Sequence, residues 1–329
     1  MHLLDCTEIG IKHYEGSVVT IGNFDGVHRG HAELLRHLKE RGARLGLPTV
    51  VVTFEPHPLA VLAPETAPPL ITTFSQKVAL IERTGIDCLA VIKFTPDFSQ
   101  IPAETFVRTL LCESFSMRHI IIGHDYAFGR DRLGNYATLV DMGAERGFSV
   151  EDLEPFGDAD RVYSSSLARR LVSSGDMAGA ANILGRYHAI SGNVVHGREI
   201  GSKIGFPTAN IVTENELLPP DGVYAVMVLV GTQLVKGACS IGKNLTFGAA
   251  SRTIEVFLLD YSGQLYDSTL AICFVKRLRE VKKFPDAETL IQAIDHDVAM
   301  TRTVLETADP DMIKPLSGLV REVSCEKGI

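Results

Sequence analysis

The chain has 329 residues, 45% hydrophobic and 22% charged, with a formal net charge of −8. That length exceeds a single ordinary core and suits two domains of about 150 residues each. The negative balance excludes a broad surface tracking the phosphates of DNA or RNA, while a small pocket for a polyphosphate needs only local positive potential.

In chain order, residues 18–21 read as a short strand and residues 30–44 as a helix with apolar spacing at Leu34, Leu35 and Leu38. Strands follow at residues 48–54, 88–93 and 119–122, and helices at 73–83, 103–111 and 137–146, with Thr72 or Thr73 as a helix cap. Alternation of this kind predicts a doubly wound parallel sheet, an α/β domain with ligands at the carboxyl ends of its strands. Residues 165–173 and 177–184 continue as helices. From residue 189 the pattern changes to strands at 189–196, 223–230, 233–240, 253–260 and 269–281, punctuated by glycine and proline. A small antiparallel β-barrel is the expected form, followed by a terminal helix over residues 285–301. The expected domains are 1–182 and 183–329.

The six cysteines are scattered without a C-x-x-C pair and read as reduced thiols, not as a disulfide or zinc framework. Residues 1–8 lack the basic and long apolar regions of a signal peptide. No apolar run approaches the roughly 20 residues that span a bilayer. The expectation is a cytoplasmic protein with no nucleic-acid or membrane partner; the sequence leaves its oligomeric state open.

Two segments carry chemistry. In the first, Gly22-Asn23-Phe24-Asp25-Gly26-Val27-His28-Arg29-Gly30-His31 turns a strand into a helix. Loop amides and a helix N-terminus there favour an anion, and two histidines three apart add donors for charge on phosphorus. Gly30 permits close approach of a phosphate. Outside this strand–loop–helix setting, such a histidine pair would read as a cap or a core feature. In the second, glycines 197, 201 and 205 recur every four residues ahead of Thr208-Ala209-Asn210. Turns between strands explain such glycines as well as a phosphate-covering loop does. Thr208 and Asn210 alternate across Ala209 and face one side of an extended segment, a donor pair suited to Mg2+.

Residues 22–31 resemble the G-x-F-D-x-x-H-x-G-H signature of the nucleotidyltransferase superfamily in its flavin-adenylating form. Thr53-Phe54-Glu55-Pro56-His57-Pro58, Gly123-His124-Asp125-Tyr126-Ala127-Phe128-Gly129 and Ser164-Ser165-Ser166-Leu167-Ala168-Arg169 resemble further segments of that form. The resemblance implies an ATP-phosphate site containing Gly22, Asn23, Phe24, His28, Gly30 and His31, with His28 and His31 catalytic. It also implies that Ser164, Ser165 and Arg169 close over the triphosphate, and that His57, Asp125 and Phe128 lie on the flavin side. Ser166, Ala168 and Asn135 depart from the family pattern, which has threonine, isoleucine or valine, and aspartate there.

Gly205-Phe206-Pro207-Thr208-Ala209-Asn210 is similar to the G-F-P-T-A-N motif of riboflavin kinases. Gly222-Val223-Tyr224, Ile254-Glu255-Val256 and Phe274-Val275-Lys276-Arg277-Leu278-Arg279 resemble later segments of that family. This implies Glu255 as general base, Thr208 and Asn210 on Mg2+, and Gly197, Gly201 and Gly205 over ATP. Without the resemblance, Glu255 among Ile254, Val256 and Leu258 reads as an ordinary solvent-facing strand residue. Ser202 and Leu245 stand where that family has arginine and proline. Residues 237–243 match the first seven positions of a P-loop, but Asn244 lacks the hydroxyl the motif requires.

In this order the two resemblances are those of the bifunctional riboflavin kinase/FAD synthase family of bacteria. They imply ATP-dependent conversion of riboflavin to FMN and of FMN to FAD. A single-activity kinase with a weakened adenylylating site, and a non-catalytic flavin- or nucleotide-binding regulator, are the alternative readings.

Overall fold

The computed structural model describes residues 1–6, 11–124, 126–158, 161–197, 201, 205–243, 252–314 and 326–327. It forms two compact units. One holds Met1–Pro68, Lys77–Tyr163 and the last strand; the other holds Pro69–Gln76 and Ser164–Arg321.

The first unit is built on β1 (His2–Asp5), β2 (Ser17–Ile21), β3 (Thr49–Glu55), β4 (Cys88–Lys93), β5 (Met117–Gly123), β6 (Ser149–Leu153) and β15 (Glu326–Lys327). They make one sheet in the order β15-β1-β4-β3-β2-β5-β6, with every pairing parallel. Its helices are α1 (Arg29–Leu45), α2 (Pro58–Leu62), α3 (Phe74–Glu82, of which Lys77–Glu82 belong to this unit), α4 (Pro96–Ser99), α5 (Ala103–Phe106) and α6 (Tyr136–Arg146). Because helices cover both faces of such a sheet, its central strands are continuously apolar instead of alternating. All five residues of β2 are buried, as are the first six of β3. The core on one face joins Val19, Ile21, Val50, Val52, Ile120 and Ile122 to Phe106, Leu110, Leu111 and Leu139. On the other face α1, with Leu34, Leu35 and Leu38 buried, packs on β2, β3 and β5.

The sheet is wider than the sequence pattern indicates. β1, β6 and β15 are edge or near-edge strands, short or polar, and their signal is correspondingly weak. The helix expected over residues 103–111 also differs: α5 runs for one turn and continues as a π-helix, Val107–Ser114. Hydroxyls bond back onto its backbone, Thr109 Oγ1 to Thr105 O at 2.7 Å and Ser114 Oγ to Thr109 O at 3.1 Å, which loosens regular helical pairing.

A two-residue hairpin, β7 (Gly157–Asp158) with β8 (Arg161–Val162), closes the first unit. The second opens with α7 (Ser165–Ser174) and α8 (Met177–Leu184). The expected cap at residue 73 takes the form of a capping box: Thr73 N donates to Gln76 Oε1, and Gln76 N donates to Thr73 Oγ1.

Six strands then close a barrel: β9 (His188–Val195), β10 (Thr208–Thr213), β11 (Gly222–Val230), β12 (Gln233–Lys243), β13 (Arg252–Leu258) and β14 (Thr269–Arg279). The order β10-β13-β12-β11-β14-β9 is antiparallel throughout and closes through β9 and β10. Residues 237–243 lie in β12, so the P-loop likeness is a strand. Alternate residues fill the interior, Ile211, Tyr224, Val226, Cys239, Val256 and Phe274 among them. The terminal helix α9 (Ala287–Glu306) packs on β11, β12 and β14. It is pinned by a two-pronged ion pair in which Arg279 Nη2 lies 2.7 Å from Asp297 Oδ2 and Nε donates to Oδ1 at 2.9 Å.

Candidate active sites

In the first unit β2 pairs with β3 on one side and β5 on the other, and the direction of strand addition reverses there. The crevice beyond the carboxyl ends at such a reversal is where open α/β sheets bind ligands. The loop from β2 to α1 occupies that place. It turns by means of three left-handed residues, Phe24 (φ 50°), Gly26 (φ 79°) and Val27 (φ 38°). A β-branched residue with positive φ carries strain, which persists where the surroundings impose it. Val27 N bonds Phe24 O at 3.2 Å, and Thr53 Oγ1, from the end of β3, donates to Asn23 O at 3.3 Å.

His28 is the N-cap of α1, and its Nδ1 accepts from His31 N at 3.3 Å. A ring nitrogen that accepts an amide proton carries none itself, so the neutral ring has its proton on Nε2. The two imidazoles stack with centroids 3.7 Å apart, and the Phe24 ring backs His31 at 5.1 Å. Phe24 is fully buried, so its contribution is this backing and not an exposed contact surface. A Cβ on Gly30 would lie 3.1 Å from the His28 ring and 3.3 Å from Tyr163 O, so residue 30 is held close from both sides. Asn23 is exposed beside these rings in sequence.

His57 repeats the device. It caps α2, and its Nδ1 accepts from Leu59 N at 3.2 Å. Phe128, expected on the flavin side, is buried; it pairs with Gly134, and its ring lies 5.8 Å from Phe106. Asp125 lies outside the described residues.

Two groups escape sequence reading. Lys77 is buried on α3, its Nζ 3.3 Å from Phe54 O and 3.4 Å from Glu55 Oε2. Burial pushes its ammonium below the ordinary lysine range, against the pull of Glu55 and then Asp25. A lysine between apolar helix positions was the only signal. At the ends of β5 and β6, His124 Nδ1 lies 2.9 Å from Asp152 Oδ2, a pair that only strand adjacency creates.

Ser164, at the start of the second unit, caps α7 by accepting from Leu167 N at 3.2 Å, with Ser165 next in the first turn. Arg169 Nε donates to Pro69 O at 2.9 Å. Ala168, the family departure, is fully buried.

The barrel brings the kinase-like residues together by register. Asn210 on β10 stands directly opposite Glu255 on β13. Thr208 lies two residues earlier on the same face, its Oγ1 3.5 Å from Glu255 Oε2. Their neighbours Ala209, Ile211, Ile254 and Val256 are buried inward, so these three polar side chains point out of the barrel. A Cβ on Gly197 would coincide with the Asn210 side-chain amide, and one on Gly201 would meet Phe206 O. Gly201 O also accepts from Phe206 N at 2.8 Å, and Gly205 has φ 90°. Gly197 and Gly201 are therefore close-packing positions against Asn210 and Phe206, and Gly205 is a left-handed turn position. Ser202 and Leu245 lie outside the described residues.

These arrangements define a two-site, nucleotide-dependent transferase, and the comparisons agree. Residues 10–167 match the FAD synthetase family model and residues 184–305 the riboflavin kinase model. The bifunctional riboflavin kinase/FMN adenylyltransferase of Escherichia coli (strain K12) is 35% identical over 297 residues, covering 90% of this chain and 95% of that protein. That of Pseudomonas fluorescens is 38% identical over 292 residues, covering 88% and 94%. A crystal structure described as a macrolide-efflux protein from Streptococcus pneumoniae superposes with a TM-score of 0.81 at 30% identity, covering 89% of this chain and 95% of that one. Among the described residues no helix is long and apolar enough to cross a membrane. The chain belongs to the bifunctional riboflavin kinase/FMN adenylyltransferase family.

Proposed function

We propose that this chain makes FMN on the outer face of the barrel and FAD at the β2–α1 loop, each step using ATP. The observation that carries the reading is the convergence of two separate constellations, His28 with His31 and Thr208, Asn210 with Glu255, on two separate units.

In the kinase step the riboflavin 5′-oxygen forms a bond to the γ-phosphorus of ATP, the bond to the β-phosphate oxygen breaks, and ADP leaves. Glu255 accepts the hydroxyl proton. The hydroxyl of Thr208 and the amide oxygen of Asn210 suit Mg2+, and the space left by Gly197 holds the Asn210 amide in place. When bound, Mg2+ neutralises charge on the phosphates. In this reading Gly197, Gly201 and Gly205 serve ATP.

In the adenylyl step an FMN phosphate oxygen attacks the α-phosphorus of ATP and pyrophosphate leaves. Such a transition state needs positioning and charge stabilisation more than a base. His28 offers an Nε2–H whose tautomer the helix cap fixes, and His31 stacks on it. Gly22, Asn23, Phe24 and Gly30 shape the loop. In this reading Ser164, Ser165 and Arg169 serve the triphosphate, and His57, Asp125 and Phe128 the flavin side. The domains are drawn at 1–182 and 183–329. A cytoplasmic location belongs to the same proposal, supported by the five described cysteines, all free thiols.

Incubation with riboflavin, ATP and Mg2+, with FMN and FAD separated by chromatography, tests the whole. Both products are expected in succession. FMN alone would reduce the chain to a kinase, and no product would leave a binding protein.

A further inference from the structure

The P-loop-like segment within β12 has no phosphate-binding form, yet it carries a hydroxyl into the kinase site. Ser240 lies directly opposite Glu255, which lies directly opposite Asn210. On its other side Ser240 faces Val223 of β11. Residues directly opposite in paired strands point to the same face of the sheet. One row therefore crosses four strands on the outside of the barrel: Asn210, Glu255, Ser240, Val223. Cys239 and Ile241, on either side of Ser240, are fully buried inward, which fixes Ser240 outward. Its side chain is half-buried, as is that of Glu255.

The row has a chemical direction. It begins at the amide assigned to Mg2+, passes the carboxylate that takes the 5′-proton and reaches a hydroxyl; beyond it stand buried Val223 and, opposite Val223, Arg279 of β14. The reacting end of riboflavin has the same order: a terminal hydroxyl, then a hydroxylated polyol chain. Neighbouring strands are about 4.8 Å apart, a step that an extended polyol spans within a few carbons. With the 5′-hydroxyl at Glu255, the next hydroxyl falls beside Ser240.

We propose that Ser240 hydrogen-bonds the 4′-hydroxyl of the ribityl chain and so sets the reacting 5′-oxygen against Glu255. Ser240 is thus a substrate-binding residue that distinguishes a hydroxylated chain from a deoxy one. The proposal rests on the assignment of Glu255 as the base.

The test is a cycle between protein and substrate, using the full chain. Ser240→Ala should raise KM for riboflavin roughly three- to tenfold, the range of one neutral hydrogen bond. A riboflavin analogue lacking the 4′-hydroxyl should lose a similar factor with the unaltered chain. It should lose nothing further with Ser240→Ala, because the interaction is already gone. Ser240→Thr retains a hydroxyl on a strand that tolerates β-branching and should keep riboflavin KM within about twofold of the unaltered chain. FAD formation from supplied FMN should be unchanged in every variant. Equal losses for riboflavin and the deoxy analogue on Ser240→Ala would overturn the contact, as would an unchanged riboflavin KM. Failure of the base assignment shows separately: Glu255→Gln would keep its kcat for FMN formation whatever Ser240 does.

Discussion

The two candidate sites are assembled in opposite ways. The candidate adenylylating site centres on a contiguous stretch of ten residues, bent by left-handed backbone and closed by a histidine cap, to which the proposal adds residues from later segments. The candidate kinase site, as proposed, draws Thr208, Asn210 and Glu255 from β10 and β13, with Ser240 on β12, and these residues meet because the strands pair in one register. The first depends on local backbone shape, the second on long-range pairing. A substitution in the loop should therefore act on chemistry with little change in global stability. A substitution in the barrel should move ligand geometry and fold together.

The sharpest test of that contrast removes one group from each site. His31→Ala should lower FAD formation from FMN about a thousandfold, as expected for loss of a donor at a developing phosphoryl charge. FMN formation from riboflavin should be untouched, read from single-substrate assays. Glu255→Gln should lower kcat for FMN formation about a hundredfold, the lower end for a general base, while FAD formation from supplied FMN persists. Loss of both activities in either variant would break the two-site comparison.

Smaller effects probe the supports. Gly197→Ala places a methyl where the Asn210 amide sits. About tenfold loss of FMN formation is expected, with the Mg2+ requirement shifted to higher concentration and about 1–3 kcal/mol lost from stability by overpacking. A titration in Mg2+ and a denaturant melt read the two parts.

The least effect at neutral pH belongs to His188, buried at the start of β9 with its Nε2 3.1 Å from Leu217 O. Burial pulls its pKa down to about 4 from 6.5, so the folded barrel holds it neutral. The unfolded chain takes up a proton first as pH falls, so stability present above pH 6.5 is lost progressively toward pH 4. At about 1.4 kcal/mol per unit the loss is about 3 kcal/mol. His188→Gln keeps a donor for Leu217 O without titrating; its melting temperature should fall less between pH 7 and 4.5 than that of the unaltered chain.

Legibility followed the same division. Residues 22–31 announce a strand, a turn and a helix start within one reading window, and the structure has β2, the left-handed loop and α1 there. The barrel was legible as strands with turns, and α9 as an apolar stripe. What the pattern withheld depends on partners far away in sequence. The strand at Ser149–Leu153 is half polar and becomes a strand by pairing with β5. Lys77 reads as a solvated helix residue until Phe54 and Glu55 surround it. The proximity of Ser240 to Glu255 cannot be read before the register of β12 against β13 is known.

The cap on α1 separates two properties that histidine otherwise combines. His28 holds the first turn through one nitrogen and leaves the other edge of the ring protonated without a net charge. A doubly protonated ring would set a donor against the His31 amide, so protonation of His28 would fray the helix start and weaken the loop. Substitutions can divide the roles. Asparagine at position 28 retains an acceptor for the cap and a shorter donor beyond it, whereas lysine retains a donor and forfeits the cap. Nitrogen-15 shifts of His28 would read the same division directly, as a bare Nδ1 beside a proton-bearing Nε2.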